Sequence, residues 1–293
     1  MKYLTIFVRL LRVDQYVKNC FIFLPLFFGG ELFNLGLLTD ELLFFLIFCF
    51  LSSFVYIIND IVDINEDRNH PTKKFRPIAN NDVSTRTALI VGFALLIIAA
   101  LLTLQFSLSI YICTISYLLL NIFYSLFLKR LAIIDVICVA LCYVLRVLGG
   151  GFVSDQAISQ WLIIMVFILS LFLALGKRWH DLKLVESSDI DGQVRKSLNG
   201  YSTNFLISLL TFFSAMNTIC YVIYSITARN SGLMFDRYFY TTALWVILGN
   251  MRYLQIIFVL NSSLSPTQAL IRDPMIRWSI ILWVLHVGLF IYL

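Results

Sequence analysis

Residues Asn59 to Pro77 read N-D-I-V-D-I-N-E-D-R-N-H-P-T-K-K-F-R-P. Four carboxylates come first (Asp60, Asp63, Glu66, Asp67) and four cations follow (Arg68, Lys73, Lys74, Arg76). The run ahead of them, Leu42 to Ile58, carries no charge at all. If that run continues as a helix past Asn59, then Asp60, Asp63 and Asp67 fall at i, i+3 and i+7 and share one face. Three like charges side by side repel unless a cation lies between them. A hard divalent ion such as Mg²⁺, held by a few carboxylates and by substrate phosphate oxygens, meets that need. Asn59, Asp60, Asp63 and Asp67 are therefore the expected metal ligands, and Asp60, Asp63, Asp67 and Lys73 the expected catalytic set. Arg68, Lys74 and Arg76 lie with Lys73 in a stretch that Pro71 and Pro77 stiffen, and they suit the remaining phosphates. Arginine offers a two-pronged fork and lysine a point charge. His70, alone among them, reads as a structural loop residue.

Further candidates are scattered along the chain. Lys18, in D-Q-Y-V-K-N, starts the first expected span, with Asn19 beside it. Y-S-L-F-L-K-R places Tyr124, Lys129 and Arg130 at a second helix end. Arg146, in Y-V-L-R-V-L-G-G-G, stands in the middle of an apolar run. A charge there is expensive and is expected to face the protein interior, meeting an anionic group or one of the acids. Gly149, Gly150 and Gly151 permit close helix packing or a broken helix. Gly176 is expected to end the sixth helix, with Lys177 and Arg178 directly after it. Tyr201, in R-K-S-L-N-G-Y-S with Arg195 and Lys196, completes the set of expected substrate contacts. Ser197 or Ser202 would cap the helix that follows.

These residues need elements to position them, and composition says which. Of 293 residues, 60% are hydrophobic and the mean hydropathy is +0.88. Soluble domains hold about 45–50% apolar residues, so the chain reads as an all-α polytopic membrane protein. Nine spans are expected, near 20–37, 42–58, 87–105, 108–128, 133–153, 161–176, 204–227, 238–251 and 277–293. They make one integral-membrane domain over 1–293, with chemistry on loops 59–86, 129–132 and 177–203. Lys and Arg collect on the side that carries those loops, which places them in the cytoplasm, with the N-terminus inside and the C-terminus outside. The N-terminus is amphipathic and lacks a small-residue cleavage site, so no signal peptide is expected. A net charge of +5 is spread over several loops, which suits membrane orientation and not nucleic acid. The six cysteines lie mostly in apolar runs, with no C-x-x-C, and read as small hydrophobes.

With these stretches in hand, the chain resembles the UbiA-type intramembrane prenyltransferase superfamily. More narrowly it resembles the polyprenyl-phosphate (decaprenyl-phosphate) phosphoribosyltransferase branch. The resemblance rests on Q-Y-V-K-N near Lys18, on the block Asn59–Ala79 and on Y-V-L-R-V-L-G-G-G around Arg146. G-K-R at 176–178, R-K-S-L-N-G-Y-S at 195–202, M-R-Y at 251–253 and I-R-D at 271–273 extend it over nearly the whole chain. It implies a UbiA-like helical bundle in the inner membrane. It also implies Mg²⁺-dependent transfer of 5-phosphoribose from phosphoribosyl pyrophosphate to a polyprenyl phosphate, in which Lys177 and Arg178 hold a donor or lipid phosphate. An assembly of identical chains is compatible with it. One departure bears on the donor. Members that alkylate aromatic acceptors carry a second Asp-rich motif after helix 6, where this chain reads G-K-R-W-H-D-L with Asp181 the nearby acid. An aromatic prenyltransferase using a polyprenyl diphosphate is the first alternative. A non-catalytic lipid-phosphate transporter, which leaves the aligned acids without a purpose, is the second.

Overall fold

The computed structural model of the chain describes residues 2–70, 72–187, 198, 200–227, 236–260, 268–269 and 272–293. Among them there is no strand. The helices are α1 (Lys2–Leu11), α2 (Leu24–Phe28), α3 (Leu35–Val62), α4 (Ile64–Asn69), α5 (Thr85–Thr103) and α6 (Leu108–Leu126). They continue with α7 (Ile134–Ser154), α8 (Gln160–Ser187), α9 (Thr203–Thr227), α10 (Ala243–Phe258) and α11 (Pro274–Tyr292). Among the described residues, seven of these are long and apolar enough to cross a membrane: α3, α5 to α9, and α11. Ile90, Phe93, Ile97 and Leu101 form an exposed apolar stripe on α5, as a lipid-facing helix requires. The chain is an integral membrane protein.

The spans differ from the sequence expectation in three places. Residues 20–37 hold no long helix. A 3₁₀ segment, Val13–Phe23, runs into the five-residue α2, which has Pro25 in its first turn. Proline suits a helix start but cannot continue one, because it lacks the N–H. The chain then turns through Gly30, at φ 78°, and α3 starts behind Asn34, whose side chain accepts from the Leu37 N–H. The eighth span is the 16-residue α10, about 24 Å long and shorter than a hydrocarbon core of about 30 Å. Finally, Gly176 does not end its helix, since α8 runs on to Ser187. A Cβ at Gly176 would strike the hydroxyl of Tyr253 on α10, so this glycine serves close packing.

The described residues form two compact units, one of residues 1–158 without 139–141, the other of 139–141 and 159–293. In the first, α3 is the axis, packed against α5, α6, α1 and the 3₁₀ segment. Its core includes Ile22, Phe44, Phe48 and Tyr117, with a smaller cluster of Leu10, Ile57, Ile78 and Ala88. Gly150 on α7 lets the 3₁₀ segment approach, for a Cβ there would meet the backbone of Ile22. With 28 residues, α3 is about 42 Å long and exceeds a hydrocarbon core of about 30 Å. The helix is therefore long enough for part of it to stand past the apolar layer.

In the second unit α8 packs on α9, α9 on α10, and α10 on α11. Arg252 of α10 grips Asp273, which also caps α11 by accepting from the Ile276 N–H at 3.0 Å. That guanidinium holds the Asp273 carboxyl below its usual range, with burial opposing.

Candidate active site

Asn59 and Asp60 lie in the last turn of α3, and Asp63 is the joint between α3 and α4, at φ −93° and ψ 8°. The backbone bonds Asp63 N–H to Asn59 C=O (2.9 Å) and Asp67 N–H to Asp63 C=O (2.8 Å) carry the helical path across that joint. Asp60 and Asp67, two turns apart, stay on one side of it. Both are buried, each 3% exposed.

Their charge is met by cations of this chain. Nη1 of Arg76 donates to Asp67 Oδ2 at 2.6 Å and to Asp60 Oδ1 at 3.1 Å, bridging the two carboxylates. Asp60 also pairs with Arg12. Asp63 pairs with Lys129, whose Nζ donates to Asn59 Oδ1 at 3.3 Å as well. Burial pushes the Asp67 carboxyl above its ordinary range. Arg76, first among the opposing groups, pulls it back, and Lys73 adds to that pull.

The expected metal set is thus divided. Asp60 and Asp67 converge on a single guanidinium nitrogen, and hard carboxylate oxygens so placed fit a divalent cation such as Mg²⁺. Asp63 and Asn59 turn instead to Lys129, because the joint at Asp63 takes it off the shared face. Among the described residues no three His, Cys, Asp or Glu side chains gather as ligands.

The cations reach these acids by specific local structures. Arg76 follows a short 3₁₀ turn, Lys73–Phe75, which His70 anchors: its Nδ1 accepts from the N–H groups of Thr72 (3.2 Å) and Lys73 (3.3 Å). Arg68 faces away from the acids and ties the loop, donating to Ala79 C=O (3.3 Å) and Asn81 Oδ1 (2.9 Å). Lys74 is exposed over the Phe75 ring. Lys129 is only 5% exposed. It precedes a γ-turn in which Ile134 N–H donates to Ala132 C=O at 2.8 Å, with Ile133 at φ 71° and ψ −51°. A β-branched residue pays for that conformation in strain.

Arg12 is the residue that sequence reasoning leaves out. It sits between α1 and the 3₁₀ segment in the left-handed conformation, φ 51° and ψ 49°. Its guanidinium lies over the Tyr56 ring, 4.7 Å from the centroid, and pairs with Asp60. Ser53 on α3 donates to Leu11 C=O at 2.9 Å and pins the turn. Its closeness to Lys18 in sequence is the one signal that marks it.

Arg146 corrects an expectation. It is 4% exposed, and its contacts are neutral ones: Asn19 Oδ1 (2.8 Å), Cys142 C=O (2.8 Å) and Tyr117 Oη (3.0 Å). Instead of meeting one of the acids, it ties α7 to α6 and to the 3₁₀ segment that carries Lys18. Lys18 and Tyr124 are half-buried in the same unit. Within the second unit Lys177 is exposed, while Arg178, 1% exposed, donates to Asp181 at 2.9 Å. Tyr201 is buried and stacks on Phe205. Arg195, Lys196 and Ser197 lie outside the described residues.

Residues 23–190 match the UbiA prenyltransferase family. A decaprenyl-phosphate phosphoribosyltransferase of Corynebacterium glutamicum is 33% identical over 227 residues, covering 74% of this chain and 66%, just under two thirds, of that relative. The protein of the same name from Mycobacterium tuberculosis is 31% identical over 222 residues, covering 73% of this chain and 72% of the relative. Among solved structures, a UbiA homolog from Archaeoglobus fulgidus bound to GPP and Mg²⁺ superposes with a TM-score of 0.70 at 20% identity, over 98% of this chain and 99% of that one. That likeness concerns the fold alone.

Proposed function

Because the chain belongs to the UbiA prenyltransferase family, we propose that it is a transferase moving 5-phosphoribose from phosphoribosyl pyrophosphate to a polyprenyl phosphate, with release of pyrophosphate. The observation that carries this reading is the cluster of Asp60, Asp63 and Asp67 with Arg12, Arg76 and Lys129 at the end of an apolar helix. Such a cluster holds both hard oxygen donors and phosphate-binding cations. The names of the relatives supply the substrate class.

Asp60 and Asp67 are the residues that would hold Mg²⁺, with Asn59 and Asp63 nearby. When bound, the ion would supply charge neutralisation for the leaving pyrophosphate. Arg76, Lys73 and Lys74 orient the donor phosphates. Lys18, on the segment that Arg146 braces, serves the lipid phosphate. The C1–O bond to pyrophosphate breaks with its electron pair leaving on oxygen, and a lipid phosphate oxygen bonds to C1. A phosphate with a second pKa of about 6 is already largely ionised at neutral pH, so the attacking oxygen needs no general base. The side chains bring position and charge, which suffice for this class of reaction. The site faces the cytoplasm, where phosphorylated sugars are made.

The purified protein is tested with Mg²⁺, labelled phosphoribosyl pyrophosphate and polyprenyl phosphate, and a labelled lipid is expected. A second arm offers a labelled polyprenyl diphosphate and 4-hydroxybenzoate. Label transferred only in that arm makes the chain an aromatic prenyltransferase, and label in neither arm removes the enzymatic reading. Asp60→Asn should lower phosphoribosyl transfer by about 100-fold or more, the scale of lost charge stabilisation at a reacting centre.

A further inference from the structure

We propose that Arg12 is a donor-phosphate ligand held in waiting on Asp60, and that it couples binding of the divalent metal to binding of pyrophosphate. The proposal rests on the function given above. Three carboxylates, Asp60, Asp63 and Asp67, are each paired with a cation of this chain, Arg12, Arg76 or Lys129, and Lys73 adds positive charge near Asp67, so the cluster has no negative charge left unmet. A divalent ion entering alone would compete with guanidinium for Asp60 and leave an excess of positive charge at close range. An anion arriving with it removes that excess.

Arg12 is a second cation placed to answer the anion. Arg76, which stands on both carboxylates that would hold the metal, is already assigned to the donor phosphates. Among the described residues, Arg12 has Asp60 as its one carboxylate, and its side chain is only 18% exposed. Displaced from Asp60, it is a half-buried charge in need of a new partner, and such charges are costly unpaired. The Tyr56 ring and the Leu11 anchor hold it beside the acids, and the fork of a guanidinium matches phosphate oxygens. Coupling of this kind is reciprocal: the metal strengthens pyrophosphate binding as much as pyrophosphate strengthens the metal.

The test is calorimetry on the purified full chain in detergent, with three titrants: MgCl₂, pyrophosphate with EDTA, and magnesium pyrophosphate. The wild type should bind magnesium pyrophosphate at least about ten-fold tighter than either component alone. Arg12→Asn keeps a residue that tolerates the left-handed conformation. It should bind Mg²⁺ alone more tightly than the wild type, since a competitor is gone, and magnesium pyrophosphate about ten-fold more weakly. Arg12→Lys should restore part of that loss. A variant indistinguishable from the wild type in all three arms overturns the proposal, and so does one weakened equally in all three, which marks a packing role. A wild type that takes up no magnesium pyrophosphate overturns the function reading and this inference together. Hydrogen exchange in the wild type adds a test that needs no variant. Exchange at residues 11–16 should change with magnesium pyrophosphate and not with Mg²⁺ alone, and an unchanged pattern contradicts the release of Arg12.

Discussion

Asp67 combines burial with a cation, and the two act on its proton in opposite directions. Burial prevails, so its carboxyl is raised above the usual value of 3.8. A carboxyl raised on folding binds its proton more tightly in the folded chain. Its contribution to stability is then fully present below the unfolded pKa and is lost as pH rises through the folded one. Asp67→Asn cannot ionise and lacks that slope. Thermal unfolding in detergent should show the variant gaining on the wild type as pH climbs from about 3.8, then running level once Asp67 is ionised. A difference that stays flat, or that moves in favour of the wild type, would mean that Arg76 outweighs burial. The types of these residues are legible in the sequence, because a run of acids after an uncharged helix is a local pattern. Their partners are not. Arg12 stands 48 positions from Asp60 and Lys129 stands 66 from Asp63, and no local rule links them.

At the level of elements, the helical spacing of the acids is a sound guide until the joint at Asp63. There α3 gives way to α4, and one acid of three leaves the shared face. Arg146 illustrates the same limit. Its burial follows from a lone charge in an apolar run, but its neutral partners depend on how the 3₁₀ segment lies over Gly150. The γ-turn at Ile133 is equally invisible in sequence, since nothing in L-A-I-I-D announces a positive φ at a β-branched residue. Ile133→Gly makes that conformation accessible without strain. Strain of this kind costs about 1–3 kcal/mol, and glycine costs about 0.5–1 kcal/mol in chain entropy. The variant should therefore gain about 1 kcal/mol of stability in a detergent thermal-unfolding assay. A loss of stability would show that the packing of the half-exposed Ile133 side chain outweighs its backbone.

For the whole molecule, composition alone gives the all-helical membrane class, and hydropathy places the long helices. It places residues 20–37 wrongly because apolar content is blind to Pro25 and to the turn before Asn34. The reading of the exterior as a lipid surface can be tested directly on α5. Ile97 is 58% exposed and lies on the stripe with Ile90, Phe93 and Leu101, well inside the helix Thr85–Thr103. Were that face in water, Ile97→Arg would be nearly neutral, as exposed substitutions usually are. In a bilayer, a charge near the centre of a spanning helix costs about 2.5–3.5 kcal/mol on insertion scales. Arg86, the second residue of the same helix, shows where a cation is accommodated, at the end and not the middle. Ile97→Arg should therefore reduce the carbonate-resistant membrane fraction sharply. Thr85→Arg, at the helix start, should leave it unchanged. Equal recovery of the two variants from the membrane would remove α5 from the lipid-facing surface.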